Sequence, residues 1–157
     1  MRRLAFRRFG LGLAVGAGLA LAAPAAAAGP QFGLRASAYL EDSDPALGLE
    51  VLFPLSAPEW AVVPNAEVVF DDERDRWVVN VDVQRAVHTK PEYSIWVGGG
   101  AAWIHFDEGD RADSEDDLGL NLLAGIGWRL EGMTPYAQLK VVAADDAELV
   151  ASIGLRF

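Results

Sequence analysis

From Phe32 onward, every second residue tends to be apolar, and the residues between are small or polar. Eight stretches carry this alternation: 32–40, 47–55, 60–70, 77–84, 93–103, 118–129, 136–143 and 149–157. The first sets Phe32, Leu34, Ala36, Ala38 and Leu40 against Gly33, Arg35, Ser37 and Tyr39. The sixth sets Leu118, Leu120, Leu122, Ala124, Ile126 and Trp128 against Gly119, Asn121, Gly125, Gly127 and Arg129. A period of two is the mark of a β-strand with different surroundings on its two faces. The pattern therefore predicts eight strands, most long enough to cross a bilayer when tilted. Pro64 interrupts the third stretch and predicts a bulge or local break there, because proline cannot donate to a ladder; Pro54 falls at the end of the second.

The N-terminus reads differently. Arg2, Arg3, Arg7 and Arg8 precede an apolar run from Leu11 to Leu21, and small residues fill positions 25–28. This is the pattern of a cleaved secretory signal peptide, predicted over 1–28, with the folded domain over 29–157. The apolar run is too short for a membrane-spanning helix, and no later segment supplies one. Residues 29–157 carry nine basic against 23 acidic side chains, a net charge of −14. Such acidity excludes nucleic acid as a partner, since phosphate binding needs clustered Lys and Arg. The absence of Cys excludes thiolate metal sites and a Cys nucleophile.

Two features orient the faces. The polar face is rich in Gly and small residues and poor in Lys, unlike a surface built for water. The charges sit in the connections instead: the odd-numbered ones hold 17 of the 23 acids. An up-and-down meander puts those connections at one end, so one end is acidic and the other plain. Aromatic residues of the apolar face sort the same way. Trp60, Tyr93, Trp128 and Phe157 fall at the plain end, with Phe32 and Phe53 nearby; Phe70, Trp77 and Trp103 fall towards the acidic end. Two girdles around an aliphatic band suit the two interfaces of a bilayer. A spanning sheet must also close on itself, because lipid cannot satisfy an open edge. The expected fold is all-β: an eight-stranded antiparallel up-and-down transmembrane barrel.

On these features, and on the ending Leu149-Val150-Ala151-Ser152-Ile153-Gly154-Leu155-Arg156-Phe157, residues 29–157 resemble the OmpA/OmpX-type small outer-membrane barrels. The resemblance implies an exported bacterial protein of the outer membrane, in contact with lipid and lipopolysaccharide. It also implies that Ile153, Leu155 and Phe157 are read by the outer-membrane assembly machinery.

A barrel this narrow is filled by side chains. Arg35, Glu50, Glu67, Asp82, Arg129, Lys140 and Arg156 have inward parity. Glu50, Glu67 and Asp82 fall at similar heights and must be matched by cations or take up protons; Lys140 and Arg35 can supply the charge. The expectation is an ion-pair network of Arg35, Glu50, Glu67, Asp82 and Lys140. Gly98-Gly99-Gly100 is expected to allow curvature or packing against Trp96. Some barrels of this kind act on lipid A, which requires a His with Ser and acidic partners. Here His88 falls in an expected turn and His105 near the rim, with only Ser114 close in sequence, so no enzyme is expected and no cofactor. The run 107–117 is acidic but lacks the spacing of an EF-hand; loose divalent cations at these loops, bridging to lipopolysaccharide, are the most it suggests. Three roles follow: a structural or interaction barrel with acidic loops, a narrow porin-like channel, or a soluble barrel holding an apolar ligand.

Overall fold

The computed structural model describes residues 29–70, 75–107, 115–144 and 147–157. Residues 1–28, expected from sequence to be a signal peptide, and the central parts of three acidic connections lie outside the described residues. The eight strands are β1 (Gln31–Tyr39), β2 (Asp44–Pro54), β3 (Trp60–Phe70), β4 (Asp75–Thr89), β5 (Tyr93–Asp107), β6 (Glu115–Trp128), β7 (Thr134–Ala143) and β8 (Ala147–Arg156). Each pairs antiparallel with the next, and β1 closes on β8. No strand edge is left over, which is the condition for a sheet surrounded by lipid.

The register shows the strand tilt that closure requires. From Arg35 the pairing runs one way through Gly48, Glu67 and Val78 to Ile104, near the acidic end of β5. The other way it runs through Gly154, Tyr136 and Gly127 to Ser94, at the plain end of the same strand. One line of pairs thus crosses the barrel from end to end.

The alternation is inside out. Arg35, Glu50, Glu67, Asp82 and Lys140 are buried, whereas Leu118, Leu120 and Leu122 are 80%, 70% and 71% exposed. A soluble barrel would bury the leucines and expose the charges. Here the interior holds the polar set and the outer wall is apolar.

Pro64 produces no bulge. β3 runs unbroken past it, and its ladder to β4 is continuous through Pro64↔Val81. On the β2 side the pairing lapses after Glu50↔Asn65 and resumes in the same register at Phe53↔Val62. The missing N–H therefore weakens one ladder without shifting it. The register shift lies instead in β4, between Ala86 and His88. It carries His88 into the strand rather than the turn expected from sequence.

Large inward side chains stand opposite glycines. Glu50 pairs with Gly33, Glu67 with Gly48, Asp82 with Gly100, Trp96 with Gly125 and Tyr136 with Gly154. A Cβ at Gly125 would fall 2.5 Å from the Trp96 ring. Trp96 thus packs on β6 glycines and not on the 98–100 run, where Gly100 makes room for Asp82. A narrow lumen can hold side chains this large only where the facing residue has none.

Candidate functional site

The lumen is layered. In the middle lies a charged network. Arg35 is central: its Nε lies 2.9 Å from Glu67 Oε1 as an ion pair, and its Nη1 3.5 Å from Glu50 Oε2. Its Nη2 donates to Ser152 Oγ at 2.8 Å. Glu67 also accepts from the Ser37 hydroxyl (2.5 Å) and the Tyr39 hydroxyl (3.1 Å). Arg156 Nε donates to Glu50 Oε1 at 2.6 Å.

A second cluster holds Asp82. Lys140 Nζ donates to its Oδ2 at 2.9 Å, Asn65 Nδ2 to the same oxygen at 3.2 Å, and Asn121 Nδ2 to Oδ1 at 2.8 Å. Asn80 links the amides, donating to Asn65 Oδ1 and accepting from Asn121 Nδ2. Glu50 and Glu67 are therefore brought together around Arg35, while Asp82 is matched separately by Lys140. With Arg156, three buried cations face three buried carboxylates. Unpaired, each charge would cost several kcal/mol to bury; paired and hydrogen-bonded, the set is tolerated.

Towards the acidic end the lining changes. Tyr39, Ala46, Val69, Val78, Ala102, Ile104, Val142 and Val150 are all buried and in mutual contact. They come from seven different strands and form an apolar layer across the bore. Arg76 caps it. Its guanidinium lies 4.3 Å from the Tyr39 ring centroid and donates to both Glu148 oxygens, at 3.0 and 3.1 Å. Towards the plain end the lining is aromatic, with Trp96, Leu123 and Tyr136 packed together and the Arg156 guanidinium 4.4 Å from the Tyr136 ring centroid.

Solved structures share this architecture. The attachment invasion locus protein Ail of Yersinia pestis superposes with a TM-score of 0.56 at 16% identity, covering 82% of this chain and 96% of that one. Its complex with the heparin analogue sucrose octasulfate gives 0.57. Neisserial surface protein A matches with a TM-score of 0.57 at 8% identity, covering 81% and 92%. The chain has the fold of the small outer-membrane β-barrels. No family model matches it, and neither does any curated protein.

Within that outer-membrane barrel fold, the residues singled out from sequence fall as follows. Trp60, Trp77, Trp103, Trp128 and Phe157 are exposed on the outer wall, and Tyr93 is half-buried. Ile153 is exposed and Leu155 half-buried on the outer face of β8. Phe157 follows it and exchanges backbone hydrogen bonds with Phe32. Arg129 does not enter the lumen: it lies exposed at the plain-end rim and donates to the Lys90 carbonyl. His88 pairs loosely with Tyr93 on the exposed surface. His105 Nδ1 lies 2.6 Å from Asp116 Oδ1 and stacks on Trp103, pointing outward. Ser114 and most of the long acidic connection lie outside the described residues.

Three features escaped the sequence reading. Arg76 and Glu148 sit in charged runs that read as loops, yet both belong to strands and pair across the bore. Two further steps of the alternation, from Asp82 and Asn80 back through Val78 to Arg76, would have placed the arginine inside. The apolar layer was hidden because Val68-Val69, Val78-Val79, Val141-Val142 and Leu149-Val150 are apolar on both faces.

Proposed function

We propose that this protein spans the outer membrane of a Gram-negative cell as a closed, non-enzymatic barrel, plugged by its own side chains, with its acidic connections turned to the cell surface. The observation that carries this reading is the inversion of the wall, with leucines outside and ion pairs within. Residues 1–28 would export the chain, and Ile153, Leu155 and Phe157 would present it to the assembly machinery. The exposed tryptophans would sit at the headgroups. The names of the neighbours, an attachment invasion locus protein and a surface protein, favour an interaction role for the acidic end. Divalent cations between those carboxylates and lipopolysaccharide phosphates would anchor it.

A conducting pore is disfavoured by the apolar layer, which gives an ion no polar partner across the bore. The outward setting of His105, with no serine beside it among the described residues, gives no support to acyl transfer.

The test is extraction and mobility. Protein made from the full chain in a Gram-negative host should fractionate with outer membranes and require detergent. It should also migrate differently on SDS gels with and without boiling. A monodisperse protein in plain buffer with no mobility shift would overturn the reading.

A further inference from the structure

The described basic side chains divide by place. Arg35, Arg76, Lys140 and Arg156 are buried, and each is ion-paired. Arg85, Lys90 and Arg129 are exposed at the plain end, and none of them forms an ion pair among the described residues. Two lie over aromatic rings instead. The Arg85 guanidinium is 5.5 Å from the Trp60 ring centroid and Lys90 Nζ is 5.7 Å from that of Tyr93. Arg129 is tied to the same side of the barrel by its bond to the Lys90 carbonyl.

The register shift in β4 adds a fourth group. Arg85 pairs with Val97 and, past the shift, His88 pairs with Ile95. Directly paired residues share a face. Ile95 and Val97 flank the buried Trp96 and face outward, so Arg85 and His88 both face outward too. Unbroken alternation would forbid this, because they stand an odd number of positions apart; the bulge re-aims the histidine. His88 Nε2 then lies 3.4 Å from the Tyr93 hydroxyl, beside Lys90. The acids of this end, Glu59, Glu92 and Glu131, sit in the turns beyond the strands.

A guanidinium on an apolar wall without a carboxylate calls for an anion from its surroundings. Its planar fork fits two phosphate oxygens at once, and a nearby lysine adds a point charge. Towards the middle of the wall, Val81, Val83 and Val97 are exposed, aliphatic surface for a chain to lie on. We propose that Arg85, His88 and Lys90, framed by Trp60 and Tyr93, bind the headgroup of an anionic phospholipid in the leaflet at the plain end. This rests on the membrane-spanning reading and adds to it a lipid preference. A phosphatidylcholine carries the same phosphate, but its trimethylammonium group would compete for ring faces that Arg85 and Lys90 already occupy.

Phosphatidylglycerol is the probe. Protein made from the full chain is purified in detergent and given equal amounts of phosphatidylglycerol and phosphatidylcholine with identical chains. Native mass spectrometry counts the lipids it retains. Phosphatidylglycerol should exceed phosphatidylcholine by at least about fivefold, the worth of one cation near a charged lipid surface. Arg85→Gln should cut that ratio several-fold, and Arg85→Gln with Lys90→Gln should bring it near parity. His105→Gln, at the opposite end of the barrel, should leave it unchanged. Arg85 and Lys90 take no part in the lumen network, and gel mobility checks that each variant folds; should the double variant fail, Arg85→Gln decides alone. Equal retention of the two lipids by the parent, a ratio untouched by Arg85→Gln, or one lost equally in His105→Gln would overturn the proposal. A parent that still needs detergent and shifts on boiling would then keep its membrane reading. A parent monodisperse in plain buffer would overturn both.

Discussion

Glu67 stands directly opposite Gly48 across the β2–β3 ladder, and a Cβ on Gly48 would fall 2.6 Å from Glu67 Cγ and 2.5 Å from the Ala66 carbonyl oxygen. Neither can withdraw, because Glu67 is held by Arg35, Ser37 and Tyr39 and the carbonyl belongs to the wall. Gly48→Val is therefore expected to lower stability by about 1–3 kcal/mol, the usual cost of overpacking. Gly29→Val, with nothing within 4 Å of the added carbon, should change nothing. Urea unfolding of the two variants in lipid vesicles checks this; equal midpoints would show that the lumen has slack at Gly48.

Much of this architecture can be read from residue order, because a strand between lipid and a polar plug has no choice about which face is which. Leu118, Leu120 and Leu122 against Gly119 and Asn121 admit one register only. The charges of the lumen follow from the same parity. What parity cannot tell is which inward residues meet, since that depends on the stagger between strands. Glu50 and Arg156 lie 106 positions apart and touch only because β1 and β8 close the barrel with that register. Nor can it separate faces where both are apolar. Val78 and Val79 look alike in sequence, yet one is 1% and the other 39% exposed.

The Lys140–Asp82 pair is buried, at 2% and 0% side-chain exposure, so its members should be strongly coupled. Lys140→Met leaves Asp82 with only amide donors from Asn65 and Asn121. The expected cost is about 3–5 kcal/mol, that of breaking a buried pair. Asp82→Leu alone strands Lys140 and should cost a similar amount. The double variant should cost less than the two singles together, by about 0.5–3 kcal/mol of coupling. A double-mutant cycle in urea measures it, and strict additivity would mean the pair is hydrated.

The apolar layer predicts how conduction should respond to mutation. In planar bilayers the parent protein should show no steps. Arg76→Ser removes the pair with Glu148 but leaves Val78, Val142 and Val150 closing the bore, so it too should stay silent. Val78→Asn combined with Val150→Asn wets the layer and should admit small cation currents, if the barrel still folds by the gel-mobility test. Steps in the parent, or in Arg76→Ser alone, would place the barrier at the cap or nowhere.

Leu122 offers the most direct test of what surrounds the wall. It faces outward, 71% exposed, on β6 between the levels of Trp103 and Trp128. In a bilayer this places it near mid-depth, where an arginine costs about 2–4 kcal/mol. In water the same substitution would cost almost nothing, because an exposed leucine gains little from staying. Leu122→Arg should therefore lower the unfolding free energy in vesicles by that amount, whereas an arginine at Trp128, at the girdle, should lose only about 0–1 kcal/mol from its charge. The tryptophans supply an independent depth gauge. Quenching of their fluorescence by brominated lipids should be strongest for bromines near the headgroups, because Trp60, Trp77, Trp103 and Trp128 are exposed at the two rims of the apolar band. A neutral Leu122→Arg together with unquenched tryptophans would mean the leucine face meets something other than lipid, and the barrel would have to be seated against a protein partner.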